Sequence, residues 1–190
     1  MYNDRFVSEL YKALEFAVKY HGDVLQVRKS THTPYIVHPI GVMQILIDYT
    51  DDFEIIQAGI LHDILEDTKG TISDIEQTFG QRVKNLVIGA TEPEHDNLSW
   101  EERKKHTINY IKNDADKDTL FVICADKLHN LNSIIDDYQK IGEAVWQRFN
   151  RGKDDQKWYY QNMADAFFKR DSQNKLFLKF YNTVQSFFNN

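Results

Sequence analysis

Residues 59–68 read GILHDILEDT. The apolar run Gly59-Ile60-Leu61 is interrupted by His62-Asp63, resumes with Ile64-Leu65, and is interrupted again by Glu66-Asp67. Glu66 follows His62 by one helical turn, and Asp67 follows Asp63 by the same step, so a helix stacks the second pair above the first. Three acids packed this closely destabilise a helix unless opposite charge neutralises them, and a bound cation would do so. The pattern Asp51-Asp52-Phe53-Glu54 just upstream fits a capping box, an acceptor side chain followed three residues on by Glu. One helix opening there is expected to carry both pairs.

Helical spacing continues on either side. Phe6, Leu10, Leu14 and Ala17/Val18 mark a first helix. THTPYIVHPIG reads as a proline-bounded extended link, and Pro39 suits the first turn of a helix through VMQILIDY. Thr71 is placed to cap a short helix ending at Gly80, and Ser99-Trp100-Glu101-Glu102 forms a second capping box. Asp118-Thr119 opens a long helix, TLFVICADKLHNLNSII, whose TLFVIC start is strand-like but runs on into ADKLHNL. Further helices are expected around EAVWQRF, DQKWYYQNMADAFF and LFLKFYNTVQSFF. The expected fold class is all-α, a single domain over residues 1–190 with roughly eight to ten helices, the last (about 171–188) packed on the rest.

Composition narrows the function. The 190 residues are 42% hydrophobic and 13% aromatic, a globular make-up with enough chain for a real core. The net charge of −6 argues against general binding to nucleic acid or anionic membranes. The single cysteine, Cys124, excludes an intrachain disulfide framework and a cysteine-rich metal site. MYNDRFVSELYKALEF lacks the basic-then-apolar layout of a secretory signal, and no run reaches membrane-spanning length. A cytoplasmic protein is the expectation.

Four side chains form a candidate metal set: His38 before a proline, His62 and Asp63, and Asp126 on the otherwise apolar ICADKLHNL segment. Two imidazoles with two carboxylates suit Mn²⁺, Fe²⁺ or Zn²⁺ better than thiolate-seeking metals or the oxygen-preferring Mg²⁺ and Ca²⁺. A divalent ion in such a set acidifies water into a hydrolytic nucleophile near neutral pH.

The H…HD…D pattern resembles that of the HD-domain metal-dependent phosphohydrolases. RKSTHTPYIVHPIGV, AGILHDILEDT and CADKLHNL look, more narrowly, like the hydrolase domain of RelA/SpoT homologues, above all the stand-alone small alarmone hydrolases including the metazoan SpoT-homologue type. The resemblance runs from about residue 10 to about residue 165. It implies an HD-type helical bundle and Mn²⁺-dependent removal of pyrophosphate from the 3′ position of ppGpp-like nucleotides. It further implies that His38, His62, Asp63 and Asp126 hold the metal and that Glu66 and Asp67 are the catalytic acid pair. Arg28, Lys29 and Ser30 would contact the base, with the Arg28 guanidinium stacked on it. Asn130 would lie near the ribose or phosphate, Arg103 and Lys104 by the phosphates, and Tyr160 near the nucleotide. A plain core role explains Tyr160 equally well, and a charged helix face explains Arg103 and Lys104 almost as well. His21, His95, His106 and His129 are expected to be surface or packed histidines.

The sequence departs from that pattern around the nucleotide. Asn130-Leu131-Asn132 has no arginine where the family usually carries one, and STHT lacks the glycine common between Lys29 and Pro34. Arg148, Arg151 and Lys153 are compositional candidates for the missing anion contact. The leading reading is an alarmone 3′-pyrophosphohydrolase acting on a guanosine or adenosine nucleotide. Another HD nucleotide phosphohydrolase, or a non-catalytic nucleotide sensor, stays open beside it.

Overall fold

A computed structural model describes residues 4–28, 33–92 and 98–189. Among these residues it is all-helical: α1 Asp4–Asp23, α2 Val37–Ile47, α3 Phe53–Leu61, α4 Ile64–Asp67, α5 Ile72–Phe79, α6 Gln81–Ala90, α7 Trp100–Asn113, α8 Lys117–Ile141, a 3₁₀ helix Gly142–Arg148, α9 Lys153–Arg170 and α10 Lys175–Phe188. The one β-type pairing among them is an isolated antiparallel bridge between Val27 and Pro34. Among the described residues no helix is long and apolar enough to cross a membrane. The chain divides into two compact units, Met1–Glu92 with Lys117–Asp126, and Pro93–Asp116 with Lys127–Asn190.

The first unit is organised around α3. Every residue from Ile55 to Leu61 is buried, and α3 packs against α1, α2 and α6. A helix apolar on all sides has to be surrounded in this way. Its one buried amide, Gln57, is satisfied by the backbone oxygen and the carboxylate of Glu9, both at 3.0 Å. Gly59 lets α2 approach closely, since a Cβ there would lie 2.2 Å from Leu46 Cδ1 and 3.3 Å from Val42 Cγ1. Arg82 of α6 ties the start of α3 to the start of α8, donating to Asp52, Glu54 and Asp118 at 2.7–2.9 Å.

The second unit is built on α9. It packs against α7 and α10, with Phe167 against Phe177 and Phe180, and Tyr160 against Phe180 and Phe188. Arg170 closes the end of α7, donating to Ile111 O at 2.8 Å and Ala115 O at 2.6 Å.

Two capping expectations hold in detail. Thr71 with Asp74 and Ser99 with Glu102 both form complete capping boxes, and Gly80 ends α5 at φ 87°. Three local expectations change. The cap of α3 is Asp52, whose side chain accepts from the Glu54 amide, while the Glu54 side chain turns to Arg82 instead of closing a box. EAVWQRF winds as a 3₁₀ helix. The GILHDILEDT helix is broken at His62-Asp63 into α3 and α4. The His62 ring explains the break: its Nδ1 donates to Gly59 O at 2.8 Å, the carbonyl that the Asp63 amide would take in a continuous helix. Asp63 then adopts φ −91°, ψ −1° before the backbone bonding resumes from Asp67 N to Asp63 O.

Candidate metal centre and active site

His38 lies in the first turn of α2, His62 and Asp63 at the break between α3 and α4, and Asp126 within α8. One ligating atom from each of His38, His62 and Asp126 lies within 4.8 Å of the other two, and all three residues are buried. His38 Nε2 is 3.2 Å from His62 Nε2 and 3.1 Å from Asp126 Oδ1. Asp63 Oδ2 completes the group, 3.0 Å from His62 Nε2 and 3.4 Å from His38 Nε2. Metal bonds of about 2.0–2.2 Å set neighbouring ligand atoms about 3–3.5 Å apart, so the His38, His62 and Asp126 atoms suit one divalent ion, with Asp63 Oδ2 beside the two histidines. The tautomer agrees. Because His62 Nδ1–H is taken by Gly59 O, its Nε2 faces the cluster, as in an imidazole ligand whose other nitrogen donates to a backbone carbonyl.

The charges in this cluster are strongly coupled. Burial works to lower the His62 pKa, but the Asp63 and Asp126 carboxylates outweigh it and raise it well above the ordinary value. Burial lowers the His38 pKa, with Asp126 and Asp63 offsetting only part of that. Burial works to raise the Asp63 pKa, yet the His62 charge and hydrogen bond bring it down to about 2. The two carboxylates thus favour positive charge at this position, which a bound cation would supply.

Sequence reasoning passed over three supports of this site. Tyr35 Oη donates to Asp63 Oδ2 at 2.5 Å, and burial followed by the Asp63 charge pushes its phenol pKa far upward. Its signal was available in PYIVHP, where it stands three residues before His38. Gln26 Nε2 donates to Asp67 Oδ2 at 2.8 Å, and the Gly59 carbonyl orients His62. Neither of the last two leaves a local mark in the sequence.

Glu66 and Asp67 occupy exposed positions of α4. Glu66 Oε1 accepts from the Glu92 amide at 2.6 Å. Arg28 is half-buried, its guanidinium 5.9 Å from the Tyr35 ring centroid. Lys29 and Ser30 lie outside the described residues, as does His95. Asn130 is half-buried one turn after Asp126 on α8. Arg103, Lys104 and Tyr160 belong to the second unit. There Lys104 Nζ sits 5.0 Å over the Tyr159 ring, and Tyr160 is buried against Phe180 and Phe188. Two of the compositional anion candidates are engaged by acids, Arg148 with Asp137 at 2.5 Å and Lys153 with Glu143 at 2.7 Å. Arg151 lies over the Trp100 ring at 5.9 Å.

The HD domain family profile matches residues 13–154. A Danio rerio protein named guanosine-3′,5′-bis(diphosphate) 3′-pyrophosphohydrolase MESH1 is 37% identical over 127 residues, 66% of this chain and 68% of that one. An Aquifex aeolicus guanosine-3′,5′-bis(diphosphate) 3′-pyrophosphohydrolase is 35% identical over 126 residues, and there the match spans only 18% of the relative's length. Among solved structures, lmo0812 from Listeria monocytogenes superposes with a TM-score of 0.72 at 36% identity, covering 80% of this chain and 99% of that one. A metazoan orthologue of SpoT described as hydrolysing ppGpp superposes with a TM-score of 0.75, covering 98% of this chain and 97% of that one; at 23% identity this likeness speaks to the fold alone. With its buried His/Asp cluster and a profile match across most of its length, the chain belongs to the HD domain family and groups there with the MESH1 pyrophosphohydrolases.

Proposed function

We propose that this chain is a metal-dependent hydrolase that releases pyrophosphate from the 3′ position of a guanosine-3′,5′-bis(diphosphate)-type alarmone, with Mn²⁺ as its metal. The observation that carries the reading is the convergence of His38, His62, Asp63 and Asp126 at ligand spacing, on a chain whose relatives bear that enzyme's name. The mixed nitrogen and oxygen donor set supports Mn²⁺ over the hard alkaline-earth ions. When bound, a divalent ion supplies Lewis acidity, lowering the pKa of water and offsetting charge that develops on phosphoryl oxygens.

The chain's own groups do the rest. Glu66 and Asp67 orient the attacking water and take its proton, which requires carboxylates held within hydrogen-bond reach of it. Each is anchored from elsewhere in the chain, Glu66 by the Glu92 amide and Asp67 by Gln26, which supports a fixed aim for both carboxylates. Arg28, Lys29 and Ser30 are assigned to the base, Asn130 to the ribose or phosphate, and Arg103 and Lys104 to the phosphates; burial of Tyr160 against Phe180 and Phe188 favours its core role over one near the nucleotide. The family match runs through both compact units, which supports reading the chain as one hydrolase domain. The substrate is a free nucleotide in the cytoplasm, with no nucleic-acid or membrane partner; the net charge of −6 supports only the lack of general binding to nucleic acid or anionic membranes.

The test is pyrophosphate release by metal-stripped protein resupplied with Mn²⁺. It would be run against ppGpp, pppGpp, ppApp and ordinary nucleoside triphosphates, with His62→Ala as control. Release from a 3′-pyrophosphorylated nucleotide, absent in the control, is expected. Glu66→Gln should keep the metal and slow turnover about 10²-fold or more. Consumption of triphosphates alone would overturn the substrate assignment, and nucleotide binding without turnover would favour a sensor.

A further inference from the structure

The two acids of α4 are anchored differently. Glu66 is held by a backbone amide, Asp67 by a side chain that is itself held. His21 Nδ1 lies 2.6 Å from Gln26 Oε1, and Gln26 Nε2 lies 2.8 Å from Asp67 Oδ2. The polarity of this chain is set by its last member. An aspartate oxygen only accepts, so Gln26 must turn its amide nitrogen to Asp67; its oxygen then faces His21, whose Nδ1 must carry the proton. Donation therefore runs one way, from His21 to Gln26 to Asp67.

His21 is an expensive residue to place here for packing alone. It is 2% exposed near the end of α1, with its ring 4.9 Å from that of Tyr35. Its Nε2 is buried without a hydrogen-bond partner. An orphaned buried nitrogen carries a desolvation penalty that an apolar side chain would avoid. The polar contact His21 makes instead is the one that fixes the Gln26 amide.

Gln26 is also fixed through its backbone. Its amide donates to His21 O at 3.2 Å, and its carbonyl accepts from Tyr35 N at 3.0 Å. Beyond it, Val27 pairs with Pro34 and Arg28 N donates to Thr33 O. Gln26 and Tyr35 thus face each other across the neck of one hairpin. From one side of that neck Tyr35 holds Asp63, and from the other Gln26 holds Asp67.

We infer that Gln26 is a positioning residue for Asp67, locked in its orientation by His21, so that the hairpin neck sets the aim of the acid. This deepens the hydrolase reading above and rests on it. Gln26 touches neither metal ligand nor substrate in this account; it acts through Asp67.

The test is a double-mutant cycle on the Mn²⁺-loaded protein, following pyrophosphate release from ppGpp. Gln26→Leu, which keeps the side chain's size and removes its amide, should lower kcat about ten- to a hundredfold, the usual cost of losing a hydrogen bond to a charged group. KM and metal content should stay within about twofold. In an Asp67→Ala background the same substitution should cost nothing further, because the two residues act as one unit. His21→Leu should follow Gln26→Leu, and His21→Asn, which retains an N–H donor, should recover part of the loss. A merely structural role predicts otherwise: equal losses in both backgrounds, or a loss tracking thermal stability, and either result would overturn the inference. Wild-type turnover matched by Gln26→Leu would also overturn it, leaving the hydrolase reading intact. A metal-loaded wild type with no turnover would overturn that reading and this inference with it.

Discussion

The two units bury different kinds of side chain. Of the seven buried polar or charged residues among the described ones, six (His21, His38, Gln57, His62, Thr119 and Asp126) belong to the first unit and one, Gln156, to the second. The buried aromatics divide the other way. Among the described residues Phe6 is the one in the first unit, while Trp146, Tyr159, Tyr160, Phe167, Phe177, Phe180 and Phe188 are in the second. Aromatic burial stabilises through area and ring contacts and needs no counterpart. Buried imidazoles and carboxylates stabilise only when their charges are matched. The first unit therefore concentrates the charged chemistry among the described residues, and the second the aromatic packing.

The largest effect that would sharpen this contrast is Asp63→Ala. It removes a carboxylate of the candidate metal cluster and leaves His62 Nε2 without its 3.0 Å partner. Loss of metal and of turnover is expected, read by elemental analysis of purified protein and by pyrophosphate release. Full metal content in that variant would break the assignment of the cluster.

Phe180→Ala should act on the other side of the comparison. Phe180 is fully buried, packed against Tyr160 and Phe167. Truncating such a ring costs about 3–5 kcal/mol, to be read by denaturant unfolding. The protein that remains folded should still bind metal with unchanged stoichiometry. Parallel loss of metal and stability would show that the two cores are not independent.

A smaller change tests how the ligands are held. Tyr35→Phe removes only the hydroxyl that donates to Asp63. Metal affinity should weaken about ten- to a hundredfold, as for other outer-shell partners, with stability little altered. Competition with a metallochromic chelator would measure it, and unchanged affinity would reduce Tyr35 to packing.

The gentlest probe is pH. The His62 pKa is raised above 6.5, so its contribution to stability is complete below 6.5 and is lost as pH rises through the raised value. The Asp63 pKa is lowered from 3.8 to about 2, so its contribution is complete above 3.8 and is lost as pH falls toward 2. Metal-free protein should therefore be most stable between those limits and should weaken on the alkaline side, where metal-loaded protein does not. Because metal must displace the His62 proton, affinity should fall as pH falls, with proton release visible by calorimetry in buffers of different ionisation enthalpy. A pH-independent metal affinity would contradict a protonated His62.

Much of this molecule was legible from residue order. Helix starts at Thr71 and Ser99 follow from side chains that satisfy amides three residues away. The all-helical class follows from apolar spacing, and the metal candidates follow from residue chemistry within a few motifs. Those are short-range facts, and a linear pattern can carry them. What the pattern missed is long-range or competitive. His62 breaks its own helix because its ring outbids the Asp63 amide for Gly59 O, a choice made only when the ring is buried and turned toward the cluster. Tyr35 and Asp63 are 28 residues apart, and Gln26 and Asp67 are 41 apart. Only the folded chain brings each pair together, because a side-chain hydrogen bond needs two atoms within about 3 Å and sequence spacing constrains that distance for no more than a helical turn or two. The sequence by itself therefore determined which groups were available for chemistry, and the tertiary structure decided which of their neighbours hold them in place.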